Sequence, residues 1–129
     1  MSDRYETTKI YGELSIDVYD KNLEYQTNKL VDLLGNTKVL NTKRNSVIFY
    51  YKTPKITTPN VDEVSDMFCE KLEPFAEQFA HFYAQHKDKC DMRIYFVVDF
   101  GKNGISIIIN QRLLKLAMKL GVEIEFDGL

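Results

Sequence analysis

Three stretches of this chain change polarity at every second residue, and nothing else in it limits the fold so tightly. Residues 9–19 place Ile10, Leu14, Ile16 and Val18 on one side, with Gly12 among them, and Tyr11, Glu13, Ser15, Asp17 and Tyr19 on the other. Residues 91–100 set Met92, Ile94, Phe96, Val98 and Phe100 against Arg93, Tyr95, Val97 and Asp99. Residues 122–127 set Val122, Ile124 and Phe126 against Glu123, Glu125 and Asp127. Side chains of a strand point to opposite faces in turn, so each stretch reads as a strand with one buried face. A fourth stretch, residues 46–52 (SVIFYYK), is β-branched and aromatic and also suits a strand. Strands of this kind need a sheet that is covered on one side.

The cover has to come from helices. Residues 25–34 carry Leu30, Val31, Leu33 and Leu34 on one stripe, and Gly35 sits at the C-cap position. From 60 to 87 apolar positions recur every three or four residues, at Val61, Val64, Phe68, Leu72, Phe75, Phe79 and Phe82, with His86 last. Asn60 followed by Glu63 suggests a capping box at the start. A straight helix of this length would run about 42 Å at 1.5 Å per residue. A domain of this size is only about 36 Å across. A break at Glu73–Pro74 follows, with Pro74 opening a second helix. Residues 111–120 make another helix, capped by Asn110 and ended by Gly121. Residues 36–46 read as a polar loop, Gly101–Gly104 as a hairpin turn and Ile105–Ile109 as a short strand. The expected fold is therefore α+β, with a single domain over residues 1–129. It is a two-layer sandwich: a mostly antiparallel sheet of about five strands, helices packed on one face, a ferredoxin-like variant.

The motif inventory is thin. Asp99-Phe100-Gly101 spells a kinase metal-binding tripeptide without the rest of that machinery. Gly101-Lys102-Asn103-Gly104 links two strands instead of opening a helix, so it is no phosphate loop. His81 and His86 are five residues apart, which puts them on different faces of a helix and makes a poor zinc pair. No Ser or Cys sits in a nucleophile setting. Neither a cofactor nor a metal is implied. Cys69 and Cys90 read as reduced thiols. No apolar run approaches the ~20 residues of a membrane span. The opening Met-Ser-Asp-Arg-Tyr-Glu has no apolar leader, so a cytoplasmic location and no membrane partner are expected.

Charge and aromatic placement say more. The 129 residues carry a formal net charge of −2, which gives no bulk drive toward nucleic acid. The charges are nevertheless segregated. Residues 61–77 hold six acids (Asp62, Glu63, Asp66, Glu70, Glu73, Glu77) against Lys71, whereas residues 36–55 hold five bases and no acid. An acidic helix could simply be solvated, or it could meet a basic partner. Four tyrosines, Tyr11, Tyr19, Tyr50 and Tyr95, fall on strands, where a rigid amphipathic ring suits an interface or is covered by a further helix or loop. Arg93–Phe100 also loosely echoes the RNA-recognition octamer, at Arg93, Tyr95, Val98 and Phe100.

The C-terminal run from Gly104 to Asp127 comprises a strand, a short Leu-rich helix, a Leu120-Gly121 step and an alternating strand closing in Asp127. Together with Leu33-Leu34-Gly35 and Leu72-Glu73-Pro74, it resembles a bacterial family known as domain of unknown function 4279. The likeness covers nearly the whole chain. It departs in the second strand, where Phe49-Tyr50-Tyr51 stands in place of a Trp, and in the loop at 36–45, which lacks Pro and Gly. The resemblance implies no catalytic residue. It does imply a link to immunity proteins, which bind and neutralise a toxin.

The sequence thus points to a non-enzymatic protein-binding domain of immunity or inhibitor type. Its partner would be a toxin or another basic protein surface, and its candidate contacts are Asp62, Glu63, Asp66, Glu70, Tyr11, Tyr19 and Tyr95. The first alternative is a small enzyme or ligand-binding domain with a site assembled from Glu13, Asp17, Arg93 and Asp99. The second is an RNA-binding sheet. Self-association as a homo-oligomer is compatible with all three.

Overall fold

The computed structural model describes residues 9–58, 60–99 and 109–128. Among the described residues six strands form one open sheet. They are β1 (Lys9–Val18), β2 (Lys38–Asn41), β3 (Val47–Lys52), β4 (Ile56–Thr57), β5 (Cys90–Asp99) and β6 (Ile124–Gly128). Four of them follow the alternating or β-branched stretches of the sequence. The order is β2-β3-β1-β5-β6, with β4 pairing the start of β1. β1 is central and antiparallel to β3, β4 and β5, and only β5 and β6 run parallel. The sheet is thus mostly antiparallel, in a two-layer α+β sandwich.

The helices cover one face. α1 (Glu24–Asp32) rests on β3 and β1, α2 (Val61–Leu72) on β1, and α3 (Ala76–His86) on β5. α4 (Gln111–Leu120) docks against α2 and α3. The buried cluster joins every second residue of β1 and β5 to the helix stripes, with Phe68, Phe79 and Phe96 fully buried. Each such ring contributes about 1.5–3 kcal/mol relative to exposure. Phe68 and Phe96 meet edge to face, 5.5 Å between centroids and 65° between planes. That pair presses on β1 at Gly12, where an added Cβ would stand 3.0 Å from the Phe96 ring and 3.1 Å from the Phe68 ring.

The break at Pro74 is present: α2 ends at Leu72 and a 3₁₀ turn over Glu73–Phe75 leads into α3. Asn110 caps α4 through Leu113 N–H at 2.8 Å, and Gly121 closes it in the left-handed region at φ 73°. The α2 cap differs from a capping box. Asn60 Oδ1 accepts from Asp62 N–H, but Glu63 does not reach back to Asn60. Thr58 stands between them, its hydroxyl accepting from Asn60 N–H and donating to Glu63. Leu33 differs as well, being exposed where the stripe put it inside.

The larger correction concerns residues 36–46, expected as a loop. They contain β2, which pairs with β3 as a hairpin. The turn is three residues, Lys43–Asn45, with Asn45 at φ 61° in the left-handed region that asparagine tolerates. Thr42 fastens the turn, since its hydroxyl accepts from the N–H groups of Arg44 and Ser46. The expected Gly101–Gly104 turn, most of the Ile105–Ile109 strand, Phe100 and residues 1–8 lie outside the described residues.

Candidate functional site: a tyrosine-lined trough on the open face of the sheet

The sheet face away from the helices carries the polar and aromatic half of the alternation. Its centre dips into a concavity of about 370 Å³. The register explains what lines it. Glu13 on β1 stands between Lys52 on β3 and Tyr95 on β5, and Ser15 stands opposite Tyr50. Tyr11 opposes Val97, which in turn opposes Asp127 on β6. Ile48 of β3 and Leu40 of β2 close the far wall. The result is a wall of three tyrosine rings around a floor with two carboxylates, one ammonium and a buried hydroxyl.

The charges in the trough are partly matched. Lys52 Nζ lies 4.0 Å from Glu13 Oε1, 5.0 Å over the Tyr11 ring and 5.4 Å over the Tyr50 ring. Lys55 reaches the Tyr11 ring at 5.8 Å. Cation–π contact of this kind holds the rings and ammonium in register at modest gain. Burial raises the Glu13 pKa; the Lys52 charge lowers it and Asp127 raises it again. Desolvation is the main cause, so Glu13 is a carboxylate kept largely away from water at the floor of the concavity. Burial also raises the Tyr95 pKa, as does the Glu125 charge, so its hydroxyl stays protonated and able to donate.

Of the expected partner contacts, Tyr11 and Tyr95 line the trough and Tyr19 does not. Tyr19 sits exposed just past the end of β1, its N–H held by the Lys89 carbonyl at 2.9 Å. The acidic residues stand elsewhere, on the outer side of α2, and three of them already have internal partners. Asn110 Nδ2 donates to Asp62 at 3.2 Å and to Asp66 at 3.4 Å, and Glu63 accepts from Thr58. Further along, Arg112 grips Glu73 with two bonds of 2.8 and 2.6 Å, and Lys119 lies 3.6 Å from Glu77. Glu70 is exposed. The acidic stripe thus latches α4 onto α2 and α3.

The four residues of the ligand-site alternative do not converge. Glu13 alone lines the trough. Asp17 pairs with Asp91 at one end of β1, and Asp99 with Lys9 at the other, eight residues or about 27 Å apart. Arg93 is committed to Asp91 at 2.8 Å and Glu125 at 2.6 Å, which holds β6 to β5 on this face. Asp17 Oδ1 is buried without a hydrogen-bond partner among the described residues.

Sequence reasoning missed Lys52, Ser15 and Asp127 as trough residues. The signal was present: Lys52 lies two residues from Tyr50, Ser15 two from Glu13, and Asp127 two from Glu125, each sharing a face by period two. Cys69 and Cys90 are buried free thiols, both pushed up to about 11 by desolvation, which makes them poor nucleophiles. Among the described residues no cluster of His, Cys, Asp or Glu could hold a metal ion, and no helix is long and apolar enough to cross a membrane.

Set against known protein families, curated proteins and solved structures, the chain matches none of them.

Proposed function

We propose that this protein is a non-enzymatic binding domain of immunity or inhibitor type, and that it grips a protein partner on the open face of its sheet. The observation that carries this reading is the trough itself, three tyrosines converging on a concavity of about 370 Å³ at the centre of a face that no described helix covers. Tyrosines in such a setting make rigid anchors at low entropic cost. The open face holds no nucleophile–base pair among the described residues, and its ionised groups are tied to one another more than aimed at a common point.

The acidic helix enters this reading in a secondary role. Its carboxylates steer a basic partner at long range, while their short-range bonds serve α4. Affinity purification from the native host tests the proposal, with wild type, a Tyr11→Ala/Tyr95→Ala variant and an Asp62→Lys/Asp66→Lys variant as baits. A protein captured by wild type and by the helix variant, but lost with the tyrosine variant, is the expected result. Equal capture by the tyrosine variant would reject the sheet face as the binding site.

A second reading has one observation in its favour: the desolvated Glu13 at the floor of the concavity also suits a small polar ligand with a cationic or hydroxyl group. Native mass spectrometry of protein purified from its host separates the two. A stoichiometric small molecule that leaves on Glu13→Ala substitution favours the ligand, and unliganded mass favours the protein partner.

A further inference from the structure

The basic run from residue 36 to 55 has no role in the trough beyond Lys52 and Lys55. It surrounds β2, and β2 is the outermost strand of the sheet path, with no described strand on its far side. Its exposure is unusual for an edge. Val39 is 53% exposed and Leu40 52%, on opposite faces of the same short strand.

The outward-facing groups of that edge can be assigned. Thr42 N–H donates to the Ser46 carbonyl at 2.9 Å, so Thr42 and Ser46 form a hydrogen-bonded pair. Antiparallel ladders alternate, and Thr42 and Ser46 continue the register of Leu40 with Ile48 and of Lys38 with Tyr50. The amides of Lys38 and Leu40 therefore point to β3. Those of Val39 and Asn41 point outward, as a template for one more strand.

Next to the start of this edge lies a second concavity, about 680 Å³ in volume. Lys38, Lys52 and Lys71 line it together with Asn36, Thr37 and Thr53, and no carboxylate is among its lining residues. The Thr37 hydroxyl is held by Asp32 at 3.1 Å, and Thr53 Oγ1 accepts from Gly12 N–H. Those two side chains are fixed in place, and the Lys52 ammonium is engaged in the trough with Glu13, Tyr11 and Tyr50, which leaves Lys38 and Lys71 as the cleft's other basic side chains. At the other end of β2 the turn adds Lys43 and Arg44, both exposed. A strand edge with ammonium groups at both ends repels a second copy of itself and attracts an extended acidic chain.

We propose that β2 takes up an acidic, extended segment of the partner protein as an added strand, with carboxylates of that segment seated in the cleft beside Lys38 and Lys71. This deepens the protein-binding reading above and rests on it. The added strand would lie beside Leu40, which already forms the wall of the tyrosine trough, so edge and trough form one continuous surface.

The test uses the full chain as bait for a displayed library of random decapeptides. Enriched peptides should combine Asp and Glu with β-branched residues, and their affinity should fall as salt rises. Val39→Pro removes one outward N–H without touching the β3 ladder, and should weaken the enriched peptide about tenfold or more. Val39→Thr keeps that amide and should bind like wild type. Lys38→Glu/Lys71→Glu should weaken binding to a similar degree, and it tests the idea even if the proline variant fails to fold. Absence of enrichment, basic or neutral winners, or unchanged affinity in both the proline and the charge variant would overturn the proposal. So would preferential binding of single-stranded RNA, or a dimer in sedimentation that Val39→Pro dissolves. Tyr11→Ala/Tyr95→Ala in the same assay keeps the two readings apart: sensitivity to the tyrosines alone leaves the trough and removes the edge, and sensitivity to the edge alone does the reverse.

Discussion

Glu13 shows how far a single position can be read from sequence and where that stops. Alternation placed it on the outer face of β1. Only the register showed it flanked by Lys52 and Tyr95 at the bottom of a concavity. Its raised pKa means that the folded state prefers the protonated carboxyl, so the ionised form opposes folding. That cost is absent below the ordinary glutamate range and is present in full once pH has risen through the raised folded value. Glu13→Gln should therefore be more stable than wild type at pH 7 and lose that advantage near pH 4, as thermal melts across this range would show. A variant no more stable at pH 7 would contradict the desolvation account. Gly12 is a second residue whose role needed coordinates. The sequence showed only a glycine inside a strand, and the structure shows the Phe68 and Phe96 rings packed where its Cβ would stand. Gly12→Ala should cost about 1–3 kcal/mol in denaturant unfolding, because the rings must shift to admit a methyl group.

At the scale of elements, the strands with a clean period of two and the helices with strong caps were legible. β1, β3, β5, α4 and the α2–α3 break at Pro74 fall within a residue or two of where the pattern put them. β2 was not legible. It is four residues long, and with Val39 and Leu40 exposed on opposite faces it has no one-sided pattern. Its formation rests on the turn, on Asn45 in the left-handed region and on the Thr42 hydroxyl, a signal of three residues inside a polar stretch. The acidic stripe of α2 was legible as charge but not as contact, because its partners Asn110 and Arg112 lie about 40 residues or more away. Asp62→Lys/Asp66→Lys should therefore loosen α4. Amide exchange should quicken along Gln111–Leu120 while β1 and β5 stay protected. Unaltered exchange in α4 would show that its apolar face alone holds it.

Taken whole, the molecule divides its labour between two layers. Helices bury one face of the sheet, and α4 engages Asp66, Glu73 and Glu77, while the other face carries tyrosines, a desolvated carboxylate and a lysine held between them. The alternating sequence announced that one face would carry the polar and aromatic side chains. It could not announce that the face would be concave, because concavity arises from which strands become neighbours, and β2 and β6 enter only through pairing. The central claim is that recognition happens on this face. The most direct measurement is a titration of the captured partner into protein labelled on its tyrosine rings, followed by nuclear magnetic resonance. The account predicts that the ring signals of Tyr11, Tyr50 and Tyr95 shift together while those of Tyr25 and Tyr83 stay in place. Undisturbed trough tyrosines in a saturated complex would contradict it.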